Sequence, residues 1–132
     1  MIRFENDLRT RGEQLVLRSI LHGHPLARCD WHSLRAQDFA HDLHGRIFRA
    51  AERLEADRIQ PEPRAVFASM RDERRARGRG PALDGVAEYL QWLAGSDPCF
   101  LLDRVPALIA FVDASGEQHE AEARAESMRG RK

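Results

Sequence analysis

Phe39, Leu43, Ile47, Ala50, Ala51 and Leu54 recur at steps of three and four residues. That is the period of a helix with one buried face. No stretch of the chain alternates apolar and polar residues as a half-buried strand does. Glycine and proline cut the periodic runs into short pieces, and short helices are stable only when their apolar faces cover one another. The pattern therefore dictates an all-α fold, a small orthogonal helical bundle of about five to six helices.

The punctuation places those helices. Thr10-Arg11-Gly12-Glu13 has the T-x-x-E spacing of a capping box. It predicts a helix over Thr10 to His22, stopped by Gly23 and Pro25. His24 to Arg35 reads as a connector anchored by Trp31 and Leu34. A second helix is expected over Asp38 to Leu54, ended by Gln60-Pro61-Glu62-Pro63, since the residue before a proline leaves the helical region. A third starts near Pro63, carries Val66, Phe67 and Met70, and closes at Gly78 and Gly80. Asp84 is expected to cap a fourth, lined by Val86, Tyr89, Leu90 and Leu93 and ended by Gly95. Asp97-Pro98 opens a fifth that Pro106 must kink or restart. Past Asp113 large apolar side chains nearly vanish. The expected organisation is a helical domain over 1–112 and a flexible polar tail over 113–132.

The 132 residues suffice for one domain with one core. Basic and acidic residues balance at 21 each, so nothing draws the whole chain to nucleic acid or an anionic membrane. Twenty of the basic residues are arginine, which codon bias explains as well as phosphate recognition does. Cys29 and Cys99 are isolated, and the charged start MIRFENDLRTR is unlike a signal peptide. A reduced cytoplasmic protein with no membrane segment is expected.

Chemistry finds few footholds. His22, His24, Cys29 and His32 are metal-ligating types, but their spacing matches no recurrent zinc pattern. His41 and His44 sit three apart on the second helix without an HExxH around them. His41 is expected on the charged face near Asp38, Asp42 and Arg46. His44 is expected half-buried, with one hydrogen bond. Phosphate-loop, dinucleotide and serine-hydrolase motifs are missing. The reading is a non-enzyme with no cofactor and no metal. Arg71, Arg74, Arg75, Arg77 and Arg79 form the densest basic run. Asp72 and Glu73 dilute it, and no aromatic residue interleaves it as a base-stacking platform.

Three segments together resemble a known family. EQLVLRSIL (Glu13 to Leu21), QDFAHDLHGRIFRA (Gln37 to Ala50) and LDGVAEYLQWL (Leu83 to Leu93) are similar, in order and spacing, to the N-terminal domain of bacterial replicative DNA helicases of the DnaB type. Asp38, Phe39, His44, Ile47, Phe48, Ala50, Gly85, Tyr89, Leu90 and Leu93 fall on matching positions, and the likeness spans about Glu13 to Val112. Arg18 replaces a usually small residue, and Ala40 a usual aromatic. The family's RecA-like motor and Walker motif are not in this sequence, so ATP hydrolysis and unwinding are not implied.

The resemblance implies a free-standing, non-catalytic interaction module of DNA replication, binding a helicase, primase or loader as adaptor or regulator. It also implies that subunits meet at the fifth helix. There Phe100, Leu101, Leu102, Val105, Leu108, Ile109, Phe111 and Val112 cover too much circumference for one buried stripe, so a homodimer interface is expected. The alternative is a small helical nucleic-acid-binding protein that grips phosphates with Arg74, Arg75, Arg77 and Arg79.

Overall fold

Asp7 opens the first helix. Its backbone is extended, and its carboxylate accepts the Thr10 N–H at 2.7 Å. A computed structural model describes residues 2–5, 7–22, 34–95, 109–114, 116, 118, 121, 122, 124 and 125. In it α1 runs Leu8–Leu21. The expected cap at Thr10 is thus one turn too late. An aspartate in extended backbone answers the orphan N–H groups first. Glu13, freed from the capping box, is turned inward and fully buried.

A 3₁₀ turn over Ala36–Asp38 follows, closed by the Arg35 N–H donating to the Asp38 carboxylate at 2.8 Å. Phe39 is extended, and its ring packs on Phe48 with centroids 5.2 Å apart. The second helix, α2, is Asp42–Ala56, so it starts four residues later than its period suggested. Asp38 is committed to the turn, and Phe39 reaches the core from outside the helix.

Helix α3 is Pro63–Arg77, with proline in the first turn and Gly78 left-handed at φ 70 as its C-cap. Helix α4 is Val86–Ala94. Its N-cap is Gly85, left-handed at φ 77 with no side-chain cap bond, so Asp84 does not cap it. The turn requires a residue with positive φ, which glycine supplies without steric cost.

Helix α2 lies at the centre, against α1, the 3₁₀ turn and α3, while α4 closes on α1 and α3. Phe48, Ala50 and Ala51 of α2 are wholly buried, as are Leu17 of α1, Val66 of α3, and Leu90 and Leu93 of α4. The fold is all-helical, with no strand among the described residues.

Beyond the bundle, residues 109–114 are helical, and Ile109 and Val112 complete the core. The described residues after Asp113 remain helical, and Gly116 is buried against Asp38. A polar sequence can hold a helix to a domain through a glycine, because backbone needs no apolar side chain to make contact. The expected Asp97-Pro98 helix start and Pro106 kink lie outside the described residues. None of the described helices is long and apolar enough to cross a membrane.

Candidate functional site

The polar residues gather in two places, one inside the bundle and one on its surface. Inside, Glu13 of α1 accepts the Ala40 N–H at 2.9 Å and faces Nδ1 of His44 at 2.9 Å. Nε2 of His44 lies 2.6 Å from the Tyr89 hydroxyl, to which the Gln14 amide donates at 3.0 Å. One tautomer satisfies every group. With the His44 proton on Nδ1, that N–H donates to Glu13, the Tyr89 O–H donates to Nε2, and Gln14 donates to the Tyr89 oxygen.

Burial holds His44 below its ordinary pKa, against the hydrogen bond and charge of Glu13, so the neutral ring this tautomer needs is the favoured form. Burial also pushes the Tyr89 hydroxyl up to about 12, keeping its proton. The network is closed and satisfied. It ties α1 to the start of α2 and to α4.

His41, expected on a charged face, instead receives or donates a hydrogen bond with the Thr10 hydroxyl at 2.7 Å and packs on the Phe4 ring at 4.6 Å. His44, expected half-buried with one bond, is completely buried with two. The departure at Arg18 has a structural use. Its Nε donates to the Leu93 carbonyl at 2.9 Å, at the end of α4, and its guanidinium lies over the Trp92 ring at 5.4 Å.

On the surface, arginines of α2 and α3 converge. Glu73 pairs with Arg53 at 2.9 Å, Arg77 at 3.0 Å and Arg49 at 3.7 Å. Burial alone would raise the Glu73 carboxyl, but the Arg53 hydrogen bond and the charges of Arg53, Arg77 and Arg49 hold it below the usual range. A cleft beside this cluster is lined by Arg46, Arg49, Glu73, Arg74, Arg77 and Arg79 over Met70, Pro81 and Leu83. A second, adjoining cleft is lined by Arg71, Arg74, Arg75, Gly78, Arg79 and Leu83 and contains no carboxylate.

Arg74, Arg75, Arg77 and Arg79 are all exposed, and the fold brings them together on one side. The sequence reading missed Arg46, Arg49 and Arg53, whose i, i+3, i+7 spacing on α2 was the available signal. Ile109 and Val112, expected at an interface, lie in the core, and Phe111 is 39% exposed with its ring over Gly12. Phe100, Leu101, Leu102, Val105 and Leu108 lie outside the described residues, as do His24, Cys29 and His32. His22 is exposed at the end of α1. Among the described residues no group of three His, Cys, Asp or Glu side chains could hold a metal ion.

A third surface lies between α1 and α4, where Ile2, Phe4, Arg11, Gln14, Tyr89 and Trp92 line a groove and Trp92 is 42% exposed.

The model of the DnaB-like helicase N terminal domain family matches residues 7–96. The chain belongs to that family. The match takes in α1 through α4, and with them all the residues of the Glu13–His44–Tyr89 network. In DnaB-type helicases this domain is the part without the ATPase. Residues 97–132, including the segment from Phe100 to Val112, lie beyond the match. Comparison with curated proteins and with solved structures finds no match.

Proposed function

We infer that this DnaB-like N-terminal domain is a non-catalytic protein-interaction module of DNA replication that binds a replicative helicase, a primase or a helicase loader. The observation that carries this reading is the family match itself, because it covers α1 through α4 and falls on the domain that lacks the ATPase. The chemistry agrees. The one buried cluster of titratable groups among the described residues is fully used in joining three helices, whereas arginine and aromatic side chains stand in open clefts. Arginine and aromatic side chains are enriched where one protein recognises another. The reading places the protein in the cytoplasm, where those partners work, and includes self-association through the Phe100 to Val112 segment, in which Ile109 and Val112 face the core and Phe111 is partly exposed.

Binding of the purified chain to purified helicase, primase and loader from the same host, measured by biolayer interferometry, tests it. Saturable micromolar or tighter binding to at least one of them is expected. No binding to any of the three would reject the reading.

A further inference from the structure

The cleft formed by Arg71, Arg74, Arg75 and Arg79 has an unusual charge balance for this chain. The protein as a whole is neutral. Yet this cleft holds four guanidinium groups, with Gly78 and Leu83 as the rest of its lining and no carboxylate. Among the described residues, Arg75 and Arg79 make no ion pair. Arg71 reaches only Asp72, at 3.9 Å, and Arg74 gives one long hydrogen bond to the Gly80 carbonyl at 3.5 Å. The neighbouring arginines 49, 53 and 77 are already taken up by Glu73. Like charges that line one cleft repel one another. An anionic partner removes that repulsion.

The shape of the lining decides what kind of anion. Arg71, Arg74 and Arg75 are spaced i, i+3, i+4 on one face of α3, and Arg79 follows the turn at Gly78. The helical part of the patch, Arg71 to Arg75, is about one turn long, and Leu83 supplies the apolar part of the lining. A nucleic acid is held by an extended track of cations and is drawn in by a positive field around the whole domain. The chain is neutral, and the arginines that continue this patch are paired, Arg46 with Asp42 and Arg49, Arg53 and Arg77 with Glu73, so the uncompensated cations do not extend into a track. A short protein segment needs only local complementarity. Guanidinium forks match carboxylates as pairs of parallel hydrogen bonds, and Leu83 takes an apolar side chain between them.

We propose that the cleft of Arg71, Arg74, Arg75 and Arg79 is the docking site for an acidic, leucine-containing segment of a partner protein. The proposal rests on the interaction-module reading and names the surface and the chemistry of the partner for it.

A synthetic helical peptide of glutamate and leucine, and an oligothymidine of matched length and charge, are titrated into the full chain by fluorescence anisotropy. Arg75→Glu with Arg79→Glu is the principal variant, since neither side chain supports the fold, and Arg75→Ala is the milder one. Saturable peptide binding that falls at least about tenfold in the double variant, and by less in Arg75→Ala, is expected. Thermal melting of each variant close to wild type shows that the loss is local. Oligothymidine binding tighter than the peptide overturns the proposal in favour of nucleic acid. Peptide binding that is absent, or unchanged in the double variant, overturns it outright. Wild-type binding to purified helicase, primase or loader in the same buffer stands or falls separately, so failure of the cleft and failure of the interaction-module reading are distinguishable.

Discussion

Glu13 and His44 meet at 2.9 Å in the middle of the bundle, both side chains withdrawn from solvent. The carboxylate also takes the Ala40 N–H, two residues before α2 begins. A side chain of one helix thus supplies the acceptor at the start of another. Such a contact stabilises only while every member is satisfied, because a buried charge without partners is more costly than an apolar pair.

Replacing Glu13 with Ala should therefore be severe. It strands the Ala40 N–H and the His44 ring, at a cost of about 3–5 kcal/mol. Glu13→Gln keeps the shape but presents an NH₂ group toward the Ala40, His41 or His44 N–H donors that converge there, and should cost about 1–3 kcal/mol. Urea denaturation followed by circular dichroism should rank the wild type above Glu13→Gln, and Glu13→Gln above Glu13→Ala. Equal stability of all three would show that the network does not hold the helices.

Stability should fall in mild acid. His44 in the folded protein sits below its ordinary value of 6.5, chiefly through burial. Below about pH 6.5 the unfolded chain then binds a proton that the folded chain refuses. The unfolding free energy drops from there down to the lowered folded pKa, and the His44 contribution to the slope vanishes beyond it. Denaturation midpoints at pH 7.5, 6.5 and 5.5 measure this. In His44→Gln the part of the slope due to His44 should disappear.

Two glycines separate a rigid contact from a yielding one. A Cβ on Gly45 would meet the Ala36 carbonyl oxygen at 2.7 Å, and backbone of the 3₁₀ turn cannot step aside. Gly45→Ala should destabilise by about 1–3 kcal/mol despite the better helix propensity of alanine. On Gly12 the Cβ would meet only the Phe111 ring, at 2.6 Å, and that ring is partly exposed. Gly12→Ala should be close to neutral, because ring rotation and the propensity gain offset one another. Thermal melts of the two variants decide between these outcomes.

Phe48 is fully buried, with Phe39 as its ring partner. Phe48→Ala should cost on the order of 3–5 kcal/mol, the range for a large aromatic lost from a core. A loss below ~1 kcal/mol, read from chemical denaturation, would place Phe48 outside the core.

The sequence by itself determined the helical class and most of the helix boundaries. The three- and four-residue spacing of Phe39 to Leu54 fixes a buried face wherever that helix sits, and Pro63 and Gly78 bound α3 by backbone constraints that need no neighbours. The order of its signature segments was also legible, and the family match over 7–96 agrees with it. Tertiary structure alone decided the fate of the polar residues. Thr10 and Glu13 satisfy a local capping rule, yet Asp7 takes the cap, and Glu13 finds Ala40 and His44 some thirty residues away. The start of α2 moved for the same reason, since Asp38 closes a turn and Glu13 takes the Ala40 and His41 N–H groups just ahead of the helix. Arginines 46 and 49 came to line one cleft with arginines 74, 77 and 79 only when α2 packed on α3. Apolar periodicity is local and survives in one dimension. The partner of a hydrogen bond or a charge is chosen by distance in three dimensions, which no spacing along the chain encodes.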